Sequence, residues 1–424
     1  MSNSISSDVS GERALVARPL PSGSVGRREK EAIRRGTVAY RQASFALFLA
    51  GFSTFSLLYC VQPLLPEFAR SFGVDPASSS LALSLTTGAL AFAIFVMGAL
   101  SQALPRRRLM FASMTLAALC NLLAAFAPHW PLLLAARLLE GLVLGGVPAV
   151  AMAYLAEEID GRDLGKAMGL YVAGTAFGGM AGRIGMGLLT EIGSWRMSMA
   201  TLGFIDLVAA VGFAFLLPPS RNFVVRHGFN TLRHVHTWGL LLRDAALRKL
   251  FAVGFILMSV FVTLFNYTGF RLSEAPYHLG QAAISNMFLV YVFGIVVSPW
   301  AGTVADRYGR RLPMTAGLAS MGLGAVLTLG SSLWLILLGI FFITIGFFGA
   351  HAVASGWVGR LAGRAKGHAA SLYLLFYYLG SSIVGSAGGW FWQHEGWAGV
   401  VTLTASLAGI GVLLGLSMKN ENGA

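Results

Sequence analysis

Four strongly ionisable side chains stand well inside long apolar runs of this 424-residue chain: Arg137, Glu140, Arg183 and Asp206. In a lipid setting each such ion costs roughly 2.5–3.5 kcal/mol on insertion scales, so each needs a partner or a task. Arg137 and Glu140 are i, i+3 neighbours on one helix face, placed to pair directly. A carboxyl so placed can carry a proton, its protonation freeing the arginine; the plainer alternative is an ion pair that only neutralises itself. With ~1.5 Å of rise per residue, Arg137 and Arg183 lie about 9 and 10 Å deep and Glu140 and Asp206 about 14 Å. The four form one layer of cancelling charge, with Asp206 expected as a structural partner of Arg183. Arg183 is also a candidate anchor for an anionic substrate.

Composition says what surrounds that layer. The chain is 56% hydrophobic and 12% charged, with mean hydropathy +0.69, whereas a soluble protein carries roughly 25% charge. So little charge cannot cover a surface facing water. Twelve apolar runs approach the roughly 20 residues that cross a ~30 Å hydrocarbon core. Of the 31 Lys and Arg, all but five fall in alternate connecting segments, beginning with the N-terminal tail. Three (Arg70, Arg196, Arg271) lie in the other connections and two (Arg137, Arg183) within spans. That asymmetry places both termini and the basic loops in the cytoplasm, and it explains the net charge of +13 without a nucleic acid. Residues 1–41 have no apolar h-region and are expected to be a disordered basic tail rather than a signal peptide. Cys60 and Cys120, both inside spans, are expected to be inert buried thiols.

Polar stripes within the spans sketch a cavity. Ser259, Thr263 and Asn266 recur along the seventh span, Tyr373, Tyr377 and Ser381 along the eleventh, and Tyr59 with Gln62 on the first. Such stripes face protein or a wet cavity, because lipid satisfies no hydrogen bond. The lining is aromatic and weakly polar, which suits a moderately apolar solute better than a sugar. His351, in the tenth span, is either a titrating group or a hydrogen-bonded packing residue. His227, His234 and His236 have no nearby Cys, and the His234-x-His236 spacing does not share a helix face, so no metal is expected; their basic segment is expected to lie on the membrane surface. No G-x-x-x-x-G-K-[ST] occurs, and no cofactor is expected; energy comes from a gradient rather than bound ATP.

The two ends of the chain echo each other. Gly98, Arg106, Arg107 and Met110 align with Gly302, Arg310, Arg311 and Met314. Tyr171, Gly178 and Trp195 recur 202 residues later as Tyr373, Gly380 and Trp397. Weak internal symmetry of this kind marks repeat-built transporters. The segment Gly302-Thr-Val-Ala-Asp306-Arg307-Tyr-Gly309-Arg310-Arg311 resembles the signature loop of the major facilitator superfamily. Arg137-Leu-Leu-Glu140-Gly141 resembles its fourth-span motif, and Pro63-Leu-Leu-Pro66-Glu67 the end of its first span. Gly174, Gly178 and Gly182, a small-residue face for close helix approach, resemble the fifth-span motif of its twelve-span drug–proton antiporter branch. Departures are Gln102 and Pro105 in the first signature loop, and Gly179 and Arg183 in the fifth-span motif.

The resemblance implies an all-α membrane protein of twelve transmembrane helices in two pseudo-symmetric six-helix bundles. Their expected extents are 42–217 and 250–417, joined by a cytoplasmic loop at 218–249 and followed by a tail at 418–424. It implies a cytoplasmic gate at Gly302, Asp306, Arg307, Gly309, Arg310 and Arg311, a latch that holds the outward-facing state and breaks as the halves rock. In this gate Gly302 permits close helix contact. The glycine stripe is read as a helix-packing face of the fifth span, either a static contact or a face that slides against the opposite half. The function expected is proton-coupled antiport in a bacterial inner membrane, exporting small amphipathic molecules by alternating access and working as a monomer. The alternatives are a proton symporter importing an organic anion, anchored on Arg183 or Arg137, and a polytopic membrane enzyme. The last lacks a clustered nucleophile or His/Asp/Glu site, so no enzyme is expected.

Overall fold

The computed structural model describes residues 32–100, 105–222 and 231–419, with side chains at 98–100 and 231–233 left aside. Most of the expected N-terminal tail, Gln102 of the first signature loop, His227 and the last residues of the C-terminal tail fall outside them. The elements in chain order are α1 (Val38–Tyr59), a short 3-10 turn (Gln62–Leu64), α2 (Leu65–Phe72), α3 (Pro76–Leu100), α4 (Arg106–Ala125), α5 (Trp130–Leu144) and α6 (Gly146–Glu158). They continue with α7 (Leu164–Ile192), α8 (Trp195–Leu216), α9 (Thr231–Arg243), α10 (Ala245–Ser273) and α11 (Gln281–Asn286). The last are α12 (Tyr291–Tyr308), α13 (Arg311–Leu327), α14 (Leu333–Leu361) and α15 (Lys366–Leu416).

Among the described residues nine helical stretches are long and apolar enough to cross a membrane. The last of them is two spans. A straight helix of 51 residues would be about 77 Å long, more than twice the hydrocarbon thickness, and Gly396 breaks it with φ +61°. Two further spans are α7, diluted by glycine and carrying Lys166, Arg183 and Glu191, and α13, only 17 residues long. Twelve spans result. Their outward faces carry Phe204, Phe215, Trp300 and Trp334, all more than half exposed, an apolar shell that suits lipid and not water.

Local chemistry sets the ends. Ser194 caps α8 by accepting from the Met197 N–H at 3.2 Å, and Asp244 caps α10 through the Leu247 N–H at 2.9 Å. Asp75 does the same before α3, and the Ser78 backbone N–H holds its carboxyl below the usual range. The first span breaks after Tyr59 because Pro63 and Pro66 lack the N–H that would continue the helical ladder.

The sequence echo is repeated in the packing. A Cβ at Gly178 of α7 would collide with the Phe52 carbonyl of α1, and one at Gly380 of α15 with the Phe255 carbonyl of α10. Gly174 and Gly182 meet Phe48 and Ser56 in the same seam. Of the two readings of the glycine stripe this leaves static packing: it joins the fifth span to the first, within one half, and is not a sliding face toward the other. Gly178→Leu is therefore expected to destabilise the fold by about 1–3 kcal/mol or more, read as a lower unfolding temperature in detergent. An unchanged melt would mean that the α1–α7 seam relaxes freely.

The segment expected as a surface loop at 218–249 holds α9. Its Trp238 stacks on Phe95 of α3 at 4.1 Å between centroids, and its His234 lies 2.8 Å from His368 of α15. One face of α9 thus docks on protein, and Val235 and Leu240 stay exposed.

Candidate functional site

The broken first span creates the centre of the site. Its last helical turn presents the Leu57 and Leu58 carbonyls, and Arg137 of α5 donates to them from Nη1 at 3.2 Å and Nη2 at 2.9 Å. The same guanidinium donates through Nε to the Ala82 carbonyl of α3 at 3.1 Å and pairs with Glu140 at 2.7 Å. A cation at a helix C-terminus opposes the negative end of the helix dipole, so Arg137 clasps three spans with one group. Arg137 and Glu140 are both fully buried. Only one Glu140 oxygen is used; Oε1 has no hydrogen-bond partner, an orphan acceptor of the kind that costs about 1–3 kcal/mol.

Asp206 does not reach Arg183. It accepts from Ser56 at 3.3 and 3.4 Å, inside the first half. Arg183 turns the other way, toward the seam between halves. Its Nε donates to the Gln62 side-chain oxygen at 2.7 Å and its Nη1 to the Gly179 carbonyl at 2.6 Å. Its guanidinium carbon sits 4.1 Å over the Tyr59 ring, with Phe288 and Tyr291 at 5.0 and 5.2 Å. No carboxylate pairs with it among the described residues.

Gln62 in turn donates to Asn266 of α10 at 2.8 Å. Two residues expected separately in the cavity thus join across the seam. Ser381 reaches Thr87 at 3.4 Å, and Ser382 donates to the Ser84 carbonyl at 2.7 Å. Tyr373 and Tyr377 stack, with centroids 6.2 Å apart, and the Tyr373 hydroxyl lies 2.9 Å from His351 Nδ1. Ser259 and Thr263 are elsewhere: they face Gly380 and Gly388 of α15 and serve helix contact within one half.

One end of the bundle is rich in arginine, and the other closes the seam. At the closed end Gln281 donates to the Pro63 carbonyl, the Ala282 N–H donates to Glu191 at 3.0 Å, and Ser285 abuts Gly187. A surface cavity of about 430 Å³ lies over this seal, between Glu67, Glu191, Trp195 and His278. At the basic end Asp306 pairs with Arg310 at 2.8 Å and lies 3.7 Å from Arg360 of α14. Gly309 makes the turn there with φ +85°, and Arg307 lies in the last turn of α12, just before it. Arg311 opens α13 directly after it. Gly302 has no neighbour within 4 Å of a Cβ, so it is not the close-contact point expected. Arg106 pairs with Glu157 at 3.0 Å. No group of three or more His, Cys, Asp and Glu that could hold a metal occurs among the described residues.

Sequence reading missed Phe288, Tyr291 and Glu191. The two aromatics lie at a 3-10 turn before α12, where helical periodicity is lost. Glu191 looks like an ordinary span-end charge, and only its cap on α11 distinguishes it.

A twelve-span bundle of two repeats, with a polar seam sealed at one end, defines a membrane transporter rather than an enzyme. A model of the Major Facilitator Superfamily matches residues 47–290 and again 272–422, and the chain belongs to that superfamily. YybF, an MFS-type transporter of Bacillus subtilis (strain 168), is 45% identical over 375 residues, 87% of this chain and 91% of its own length. The inner membrane transport protein YnfM of Escherichia coli (strain K12) is 45% identical over 392 residues, 92% of this chain and 93% of that protein. The crystal structure of the nucleoside transporter NupG superposes with a TM-score of 0.75 at 14% identity, covering 88% of this chain and 99% of that one. A bacterial homolog of the human lysosomal transporter Spinster, inward-facing and occupied, gives 0.74 at 11%, covering 90% and 97%. At such identities these two likenesses speak for the fold alone.

Proposed function

We propose that this transporter is a proton-coupled antiporter of the twelve-span drug–proton branch, exporting small amphipathic molecules by alternating access. In this reading it works as a monomer in the bacterial inner membrane, with the arginine-rich end and both termini in the cytoplasm. The observation that carries it is Glu140: a fully buried carboxyl with one oxygen on Arg137 and the other unpartnered.

Protonating Glu140 removes the charge that holds Arg137. Arg137 grips the Leu57 and Leu58 carbonyls beside the break in the first span, and Gln62 beyond the break holds Arg183 and Asn266. A proton on Glu140 is therefore felt at the seam between halves through the broken segment of the first span, which carries the Leu57 and Leu58 carbonyls at one end and Gln62 at the other. Release of Gln281 and Glu191 opens the sealed end, and Asp306 exchanges partners as the basic end closes. The test is a liposome assay in which substrate movement triggers proton movement of opposite direction. Substrate movement with no proton flux would reduce the protein to a facilitator, and flux in the same direction would make it a symporter.

A further inference from the structure

Arg183 is a buried cation with too little to neutralise it. Its side chain is 2% exposed, and its partners are one amide oxygen, one carbonyl and three aromatic faces, none of which carries a full charge. Nη2 donates to nothing among the described residues. Aromatic faces over a guanidinium contribute about 0.5–2 kcal/mol, well short of the several kcal/mol that burying an ion costs. The residue 202 positions on, at the matching place of the repeat, is Gly385, and it packs in the corresponding span with no charge at all.

Two donors of the same cluster are left unused. The Tyr291 hydroxyl is buried without a hydrogen-bond partner, and so is the Asn266 side-chain nitrogen. Tyr291 comes from one half and Tyr59 from the other, so the guanidinium stands on the seam. Phe261, Phe265 and Phe288 pack round Tyr291 with centroids 5.6–5.7 Å away, which makes the surroundings apolar and flat.

We infer that Arg183 anchors the head of a monovalent organic anion, a carboxylate or its like, whose apolar body lies among these aromatic rings. This rests on the reading that the seam is the transport path. One negative charge completes the neutralisation of Arg183, and a carboxylate accepts from the guanidinium and the Tyr291 hydroxyl together. A neutral or cationic amphipath leaves the cation uncompensated.

Equilibrium binding to the purified full-length protein tests this without any proton gradient. The probes are benzoate, phenylacetate and octanoate, each against its neutral amide, read as saturable shifts in unfolding temperature. At least one acid is expected to bind ten times more tightly than its amide. Arg183→Gln is expected to abolish that preference. Should Arg183→Gln fail to fold, Arg183→Lys replaces it, with weakened but retained preference for the acid. Binding of amides as tight as acids, no response to any acid, or an acid preference unchanged in Arg183→Gln overturns the inference. Acid binding in a protein that moves no protons would defeat the antiport reading and leave this one standing.

Discussion

Arg137→Ala is expected to lower stability by roughly 3–5 kcal/mol, because it strands Glu140 as an unpaired buried charge. The guanidinium also satisfies the carbonyls of Leu57, Leu58 and Ala82, and each lost hydrogen bond adds about 0.5–1.5 kcal/mol. Replacing both members, as Arg137→Met with Glu140→Leu, removes the stranded charge and is expected to recover most of the loss. The carbonyl contribution stays lost. Thermal unfolding in detergent, followed by size-exclusion chromatography, separates the two terms. A double variant no more stable than Arg137→Ala would show that the clasp on the backbone, not the ion pair, dominates.

The second large effect falls on transport. Glu140→Gln keeps the shape of the side chain and one oxygen for Arg137 to donate to, so the protein is expected to fold and insert. What it loses is the protonation step. For one-to-one coupling each imposed pH unit, about 1.4 kcal/mol, sustains roughly a tenfold substrate gradient. The variant is expected to let that ratio fall to about one while still exchanging substrate across the bilayer. Retained exchange distinguishes a lost coupling group from a damaged path.

The sequence disclosed some of this and concealed the rest for physical reasons. The Arg137–Glu140 contact was legible because i, i+3 spacing on a helix fixes proximity whatever the tertiary structure. Span number was legible too, since lipid demands long apolar runs. Arg183 and Asp206 were misjudged as partners because a shared layer of the membrane says nothing of direction: α8 points Asp206 at Ser56, and α7 points Arg183 at the seam. The glycine stripe showed that a backbone approaches closely but not whose backbone it is. The polar stripes divide in the structure. Asn266 reaches Gln62 across the seam, whereas Ser259 and Thr263, two turns and one turn away on α10, look to α15. Rotation of a helix about its axis is set by its neighbours, and a helix apolar on nearly every face offers little in its own pattern to reveal it.

The most direct test of the proton-coupling claim is made in liposomes loaded with a pH-sensitive dye, with an acid from the binding panel as substrate. Adding substrate to wild type is expected to drive protons opposite to the acid, and Glu140→Gln to move the acid with no proton signal. Equal proton flux in wild type and Glu140→Gln would contradict the account, leaving Arg137 and Glu140 as a structural clasp on the broken first span.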